Sequence, residues 1–97
     1  MLTSKQRAAL RKAANPISPV FQIGKGGIDK TLIKATADCL AARELIKLRL
    51  LETSPETARE AADALAAATG ADVVQVIGGT VVLFLKKKKD SAYSEVL

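Results

Sequence analysis

Gly24, Gly26 and Gly27 interrupt the stretch Val-Phe-Gln-Ile-Gly-Lys-Gly-Gly-Ile-Asp-Lys-Thr-Leu-Ile-Lys at residues 20–34, with lysines inside and after the break. Lacking a Cβ, these glycines can take positive φ and let another polymer's backbone come close. A helix starting just after them offers unpaired N–H groups and the positive end of its dipole. Such a turn is a seat for a phosphate. The spacing Gly24-x-x-Gly27 is the pattern with which KH-type modules clamp a nucleic-acid backbone. Alone it is weakly specific, because a strand-to-helix turn needs small residues for steric reasons as well. Charge and context therefore have to decide.

The composition removes most other chemistry. There is no histidine and only one cysteine, Cys39, so Cys/His metal sites, His-activated nucleophiles and disulfide frameworks are all excluded. Cys39 falls on an apolar helical stripe, where an inert buried thiol is the expected state. Paired carboxylates could still do acid–base work, but the ten acidic residues are expected at exposed polar positions on helices and turns. With 97 residues, 48% hydrophobic and 26% charged, the chain reads as one globular domain. The longest apolar runs, such as Val81 to Leu85, are too short to span a bilayer, and no membrane partner is expected. The start, Met1-Leu2-Thr3-Ser4-Lys5, has no apolar leader segment, so a cytoplasmic, unanchored protein in a reducing compartment is expected.

The net charge of +5 is unevenly spread. Residues 1–34 hold seven cations, Lys5, Arg7, Arg11, Lys12, Lys25, Lys30 and Lys34, against Asp29 alone. Residues 50–75 hold Glu52, Glu56, Glu60, Asp63 and Asp72 against Arg59 alone. A separation of this kind makes a one-sided field that draws a polyanion to the amino-terminal half.

The elements that must position these groups follow from local signals. Thr3 with Gln6 is a capping box for a short helix over Thr3 to Ala14, its apolar stripe Ala9, Leu10, Ala13 and Ala14, its cations toward solvent. Pro16 and Pro19 enforce an extended link to a strand at Val20–Ile23. Asp29 is the expected N-cap of a helix to about Ala42, whose apolar face holds Ile28, Leu32, Ala35, Cys39 and Leu40. Ile46, Leu48 and Leu50 alternate with Lys47 and Arg49 in a strand with one polar face. This strand, helix and strand make a βαβ unit with parallel strands and a right-handed crossover. Ser54-Pro55 reads as the start of a third helix that ends at Gly70, with a thin face of Ala58, Ala61, Ala62, Leu65 and Ala66. Gly78-Gly79 joins strands at Val73–Ile77 and Thr80–Leu85 in a hairpin. The fold class is thus α/β (α+β), ordered α-β-α-β-α-β-β, with a mixed four-stranded sheet and packed helices. Residues 1–85 form the domain, and residues 86–97, opening on Lys86-Lys87-Lys88-Lys89, form a basic, flexible tail.

This order and several strings resemble the CRM domain family, named for chloroplast RNA splicing and ribosome maturation, in its small single-domain YhbY-like form. The strings are Leu2-Thr3-Ser4-Lys5-Gln6-Arg7, Pro19-Val20 with Ile23-Gly24-Lys25-Gly26-Gly27, Glu44-Leu45-Ile46-Lys47 and Val74-Gln75-Val76-Ile77-Gly78. The resemblance implies an RNA-binding domain related in fold to the carboxy-terminal domain of translation initiation factor three. Its implied partner is ribosomal RNA in a large-subunit precursor. It implies a GxxG loop at Gly24, Lys25, Gly26 and Gly27 and a basic first helix at Lys5, Arg7, Arg11 and Lys12. Asn15 departs from the histidine expected before the proline, and the cation expected directly after the last aromatic is displaced past Leu85.

The residues point to a mechanism in which RNA backbone lies across the loop, its amides donating to phosphate, with Lys25, Lys30 and Lys34 adding charge and the first helix extending the track. Aromatics are 3% of the chain, too few for base stacking on the sheet. Rival readings are a DNA-binding module, an interaction module that docks a basic protein on its acidic helix, and a nucleotide-binding enzyme. The last lacks both G-x-x-x-x-G-K-[ST] and G-x-G-x-x-G. A monomer without cofactor and without catalytic activity is expected.

Overall fold

Each helix begins where a side chain takes up an amide that the helix itself leaves unbonded. The computed structural model describes residues 2–87 and 91–93. In α1 (Ser4–Ala14), Thr3 Oγ1 accepts from the Gln6 amide at 3.1 Å while Gln6 Oε1 accepts from the Thr3 amide at 2.8 Å. In α2 (Lys30–Arg43), Asp29 Oδ1 accepts from the Leu32 amide at 2.8 Å. The third start differs from expectation. Thr57 and Glu60 form a second reciprocal box, so α3 runs Ala58–Thr69 and begins three residues after Pro55. Two orphan donors satisfied by Thr57 and Glu60 outweigh the single one that Ser54 could satisfy. Ser54 Oγ instead accepts from the Glu56 amide at 3.3 Å within the preceding turn. Gly70, with φ 81°, closes α3 in the left-handed conformation.

The strands are β1 (Phe21–Ile23), β2 (Leu45–Leu50), β3 (Asp72–Ile77) and β4 (Thr80–Phe84). They form one mixed sheet in the order β1-β2-β4-β3. β1 and β2 are parallel and joined through α2, and the other pairings are antiparallel. The last strand stops one residue short of the expected Leu85, whose amide donates to the Glu44 carbonyl at 2.9 Å. At Gly79 a Cβ would lie 2.9 Å from the Leu50 carbonyl oxygen, so the hairpin needs a glycine there to sit against β2. The register of β3 slips between Val73 and Gln75, a bulge in an edge strand.

Alternation sorts the side chains to two sides. On one side Ile23, Ile46, Leu48, Val81 and Leu83 pack against Leu40 of α2 and Ala61, Ala62 and Leu65 of α3. On the other, Leu45, Val74, Val82 and Phe84 meet Leu10 and Ala14 of α1, while Ala9 of the expected stripe is exposed. Among the described residues no helix is long and apolar enough to cross a membrane.

Not every acidic residue is on the surface. Glu44, the residue that ends α2 with φ 67°, is 1% exposed. Its carboxylate accepts from the Lys87 amide at 3.2 Å, the Ser91 hydroxyl at 2.5 Å and the Ala92 amide at 2.8 Å. Tyr93 stacks edge-on against Phe84, ring centroids 5.6 Å apart. The tail expected to be flexible from Lys86 onward thus touches the domain at Ser91–Tyr93, through Glu44 and Phe84. Lys88 and Lys89 of the lysine run lie outside the described residues.

Candidate nucleic-acid interface

The glycine turn leaves the end of β1 and delivers the chain to α2. The Gly27 amide donates to the Gly24 carbonyl at 2.9 Å, which tightens the turn and removes one of the amides expected to be bare. The amides of Lys25 and Gly26 have no acceptor among the described residues, and both residues are exposed. A Cβ on Gly26 would meet nothing within 4 Å. The turn is thus open on its Lys25–Gly26 side.

Its other side is closed, by an acid. Gly27 has φ 62°, and a Cβ there would stand 2.9 Å from both carboxylate oxygens of Glu56 and from Pro55 Cγ. Glu56 Oε1 is buried and has no hydrogen-bond partner among the described residues. A carboxylate held against the turn repels a phosphate that approaches past Gly27, so the anion-accepting approach lies over Lys25 and Gly26. Nothing in the local sequence marked Glu56 as a neighbour of the turn, because the contact is made by the loop before α3.

The sheet divides the cations between its two sides. Lys30 stands exposed in the first turn of α2, close behind the glycine turn. Lys34, one turn on, pairs with Asp38 at 3.6 Å, and because both side chains are well exposed this pair is a weak restraint. Lys5, Arg11 and Lys12 are exposed on α1, across the sheet from α2. Arg7 is half-buried and donates from Nε to the Val73 carbonyl at 3.4 Å, beside the bulge in β3, so it also fastens α1 to the sheet. Apart from Lys34–Asp38, the ion pairs among the described residues comprise only Arg59–Asp63 at 3.3 Å, which leaves Lys5, Arg11, Lys12, Lys25 and Lys30 without an ion-pair partner among the described residues. The acidic Glu60 and Asp63 sit on α3, in the layer away from α1.

Two further cations belong to this surface. Lys47 and Arg49 of β2 were legible as the polar face of a strand, and the sheet turns that face toward the α1 side. Arg49 lies level with Gln22, the penultimate residue of β1, and the glycine turn begins two residues later. Without the sheet order, the sequence offers no way to place them between the turn and α1.

Residues 2–84 match the CRS1/YhbY (CRM) domain. Probable RNA-binding protein YqeI of Bacillus subtilis is 42% identical over 90 residues, covering 93% of this chain and 94% of that protein. A protein of Haemophilus influenzae named RNA-binding protein is 30% identical over 83 residues, 86% of this chain and 84% of its own length. The solution structure of SAV1595 from Staphylococcus aureus, described as a candidate RNA-binding protein, superposes with a TM-score of 0.79 at 44% identity, over 94% of this chain and 95% of that one. With a domain match across nearly its whole described length and relatives of matching size, the chain belongs to the CRS1/YhbY (CRM) domain family.

Proposed function

We propose that the protein binds structured RNA by its phosphate backbone, at the Gly24–Gly27 turn, and that the RNA is ribosomal RNA in a precursor of the large subunit. The observation that carries this reading is the open side of the turn, where the amides of Lys25 and Gly26 have no acceptor among the described residues and Lys25 itself is exposed. Two backbone donors and a flexible cation hold a phosphate by charge-assisted hydrogen bonds without consulting base identity. Lys30 adds a second charge at the start of α2, and Arg11, Lys12 and Lys5 add a third group along α1. The relatives named as RNA-binding proteins support the choice of polyanion. In this reading the protein is a cytoplasmic monomer that acts without cofactor or catalysis.

Crosslinking in cells followed by sequencing of the attached RNA tests the target, and reads clustered on large-subunit ribosomal RNA are expected. A titration against salt tests the mechanism. Log affinity should fall steeply with log salt, and a flat plot removes the phosphate contacts. Competition with duplex DNA of equal length separates RNA from DNA, because A-form shape and 2′-hydroxyls are available only in the former.

A further inference from the structure

Helix α1 covers only part of its side of the sheet. Leu10 and Ala14 pack on Leu45, Val74, Val82 and Phe84, which leaves the half nearer the glycine turn uncovered. Strand pairing fixes what lies there. Gln22 stands opposite Arg49, Arg49 opposite Thr80 and Thr80 opposite Ile77, a row that crosses the sheet from one edge to the other. One step down, Lys47 stands opposite Val82 and Val82 opposite Gln75. Paired residues point to the same side, so both cations of β2 and these amides share one surface. A cavity of about 350 Å³ opens on it, bounded by Asn15, Lys47, Arg49 and Gln75. At Gln75 and Ile77 it meets a second cavity of about 630 Å³, walled by Arg7 and Arg11.

An anionic strand fits this surface by charge. Lys47, Arg49 and Arg11 have no ion-pair partner among the described residues. The glycine turn and α1 lie at opposite ends of the uncovered half, and the sheet is about 14 Å wide there, three inter-strand spacings. Arg49 and Lys47 stand on β2, on the side of the sheet that α1 packs against, so a strand that runs over this side from the turn toward α1 passes them. The amides of Asn15 and Gln75 offer a donor and an acceptor each, the complement of a base edge. In an RNA duplex those edges are out of side-chain reach in the deep groove, whereas an unpaired segment presents them.

We propose that this uncovered half of the sheet is a second RNA-contact surface, which takes an unpaired segment continuous with the RNA held at the glycine turn. Lys47 and Arg49 contact its phosphates, and Asn15 and Gln75 contact its base edges. The proposal rests on the RNA-binding reading above and adds to it the place where sequence preference arises.

The test compares a blunt RNA hairpin with the same hairpin carrying a short unpaired extension, by fluorescence anisotropy. The unsubstituted protein should bind the extended RNA tighter, by about tenfold or more, from charge-assisted contacts. The double variant Lys47→Ala/Arg49→Ala should lose most of that gain, so that its affinity falls several-fold further for the extended RNA than for the blunt hairpin, and Gln75→Ala should level the ranking among extensions of different sequence. Arg49 is exposed, so Arg49→Ala alone repeats the test with little disturbance of packing. No gain from the extension, an unchanged gain in the variants, or an equal loss for both RNAs overturns the proposal and leaves the surface to a partner of other chemistry. Failure of the unsubstituted protein to bind either hairpin overturns the RNA-binding reading itself, and this proposal with it.

Discussion

Ser91 donates its hydroxyl to Glu44 at 2.5 Å across 47 residues of sequence, and this bond ties the end of the chain to the junction of α2 and β2. Burial pushes the Glu44 carboxyl up, but the hydrogen bonds from Ser91, Ala92 and Lys87, with the Lys87 ammonium, outweigh it and hold the group below its ordinary value. A carboxylate with a depressed value in the folded state contributes stability that is fully present above its unfolded value and is lost as the pH falls through the folded one. Acidification below the ordinary carboxylate range should release Ser91–Tyr93. Tyr93 is the chain's only tyrosine and there is no tryptophan, so intrinsic fluorescence reports its contact with Phe84 directly. Glu44→Gln should produce the released spectrum at neutral pH and lower stability by about 1–3 kcal/mol in denaturant unfolding. An unchanged spectrum at low pH would show that the carboxylate does not hold the tail.

Gly26 and Gly27 should separate binding from folding. Alanine at Gly27 meets Pro55 and Glu56 at 2.9 Å and must adopt φ 62°, which costs about 1–3 kcal/mol. Alanine at Gly26 has open space around it and should change the melting temperature little. Its methyl group stands where a phosphate would approach, so RNA affinity should drop several-fold. Thermal melts and anisotropy on the same two variants check both halves.

Removing the acid from the turn should strengthen binding. Glu56→Gln keeps the shape that packs on Gly27 but deletes a charge that opposes phosphate. RNA affinity at low salt should rise by about threefold to tenfold, and the gain should shrink as salt screens it. A gain independent of salt, or a loss, would place the phosphate elsewhere.

Leu10 is the large side chain that seats α1 on the sheet. Leu10→Ala should cost about 2–5 kcal/mol, the range for a buried leucine that leaves a cavity. Because Arg11 and Lys12 ride on the same helix, RNA affinity should fall at temperatures where the domain as a whole stays folded. Amide exchange along α1, measured beside binding, checks this coupling.

Much of this was legible in the residues themselves. Capping signals are local, so the Thr3–Gln6 box and Asp29 as an N-cap mark two helix starts without any tertiary knowledge. The third start was masked because Ser54-Pro55 carries the stronger single-residue signal, and only the pairing of Thr57 with Glu60 overrides it. The glycine turn was legible as an open backbone, but its polarity was not. Glu56 reaches Gly27 from more than twenty-five positions away, and proximity of that kind is set by how α3 packs on α2. The same reason hid Glu44. In sequence it precedes an alternating strand like any solvated charge, and its burial follows from residues that return from the far end of the chain. The polar face of β2 was readable from Lys47 and Arg49, whereas its position between the turn and α1 follows from the insertion of β4 between β2 and β3.

That same insertion leaves β1 and β3 as the outer strands, one only three residues long and the other kinked by its bulge. Neither presents a long, flat rail of unpaired amides and carbonyls to a neighbouring molecule. A basic protein whose copies would be brought together on one polyanion, as proposed above, is thereby guarded against zipping, copy upon copy, into fibrils.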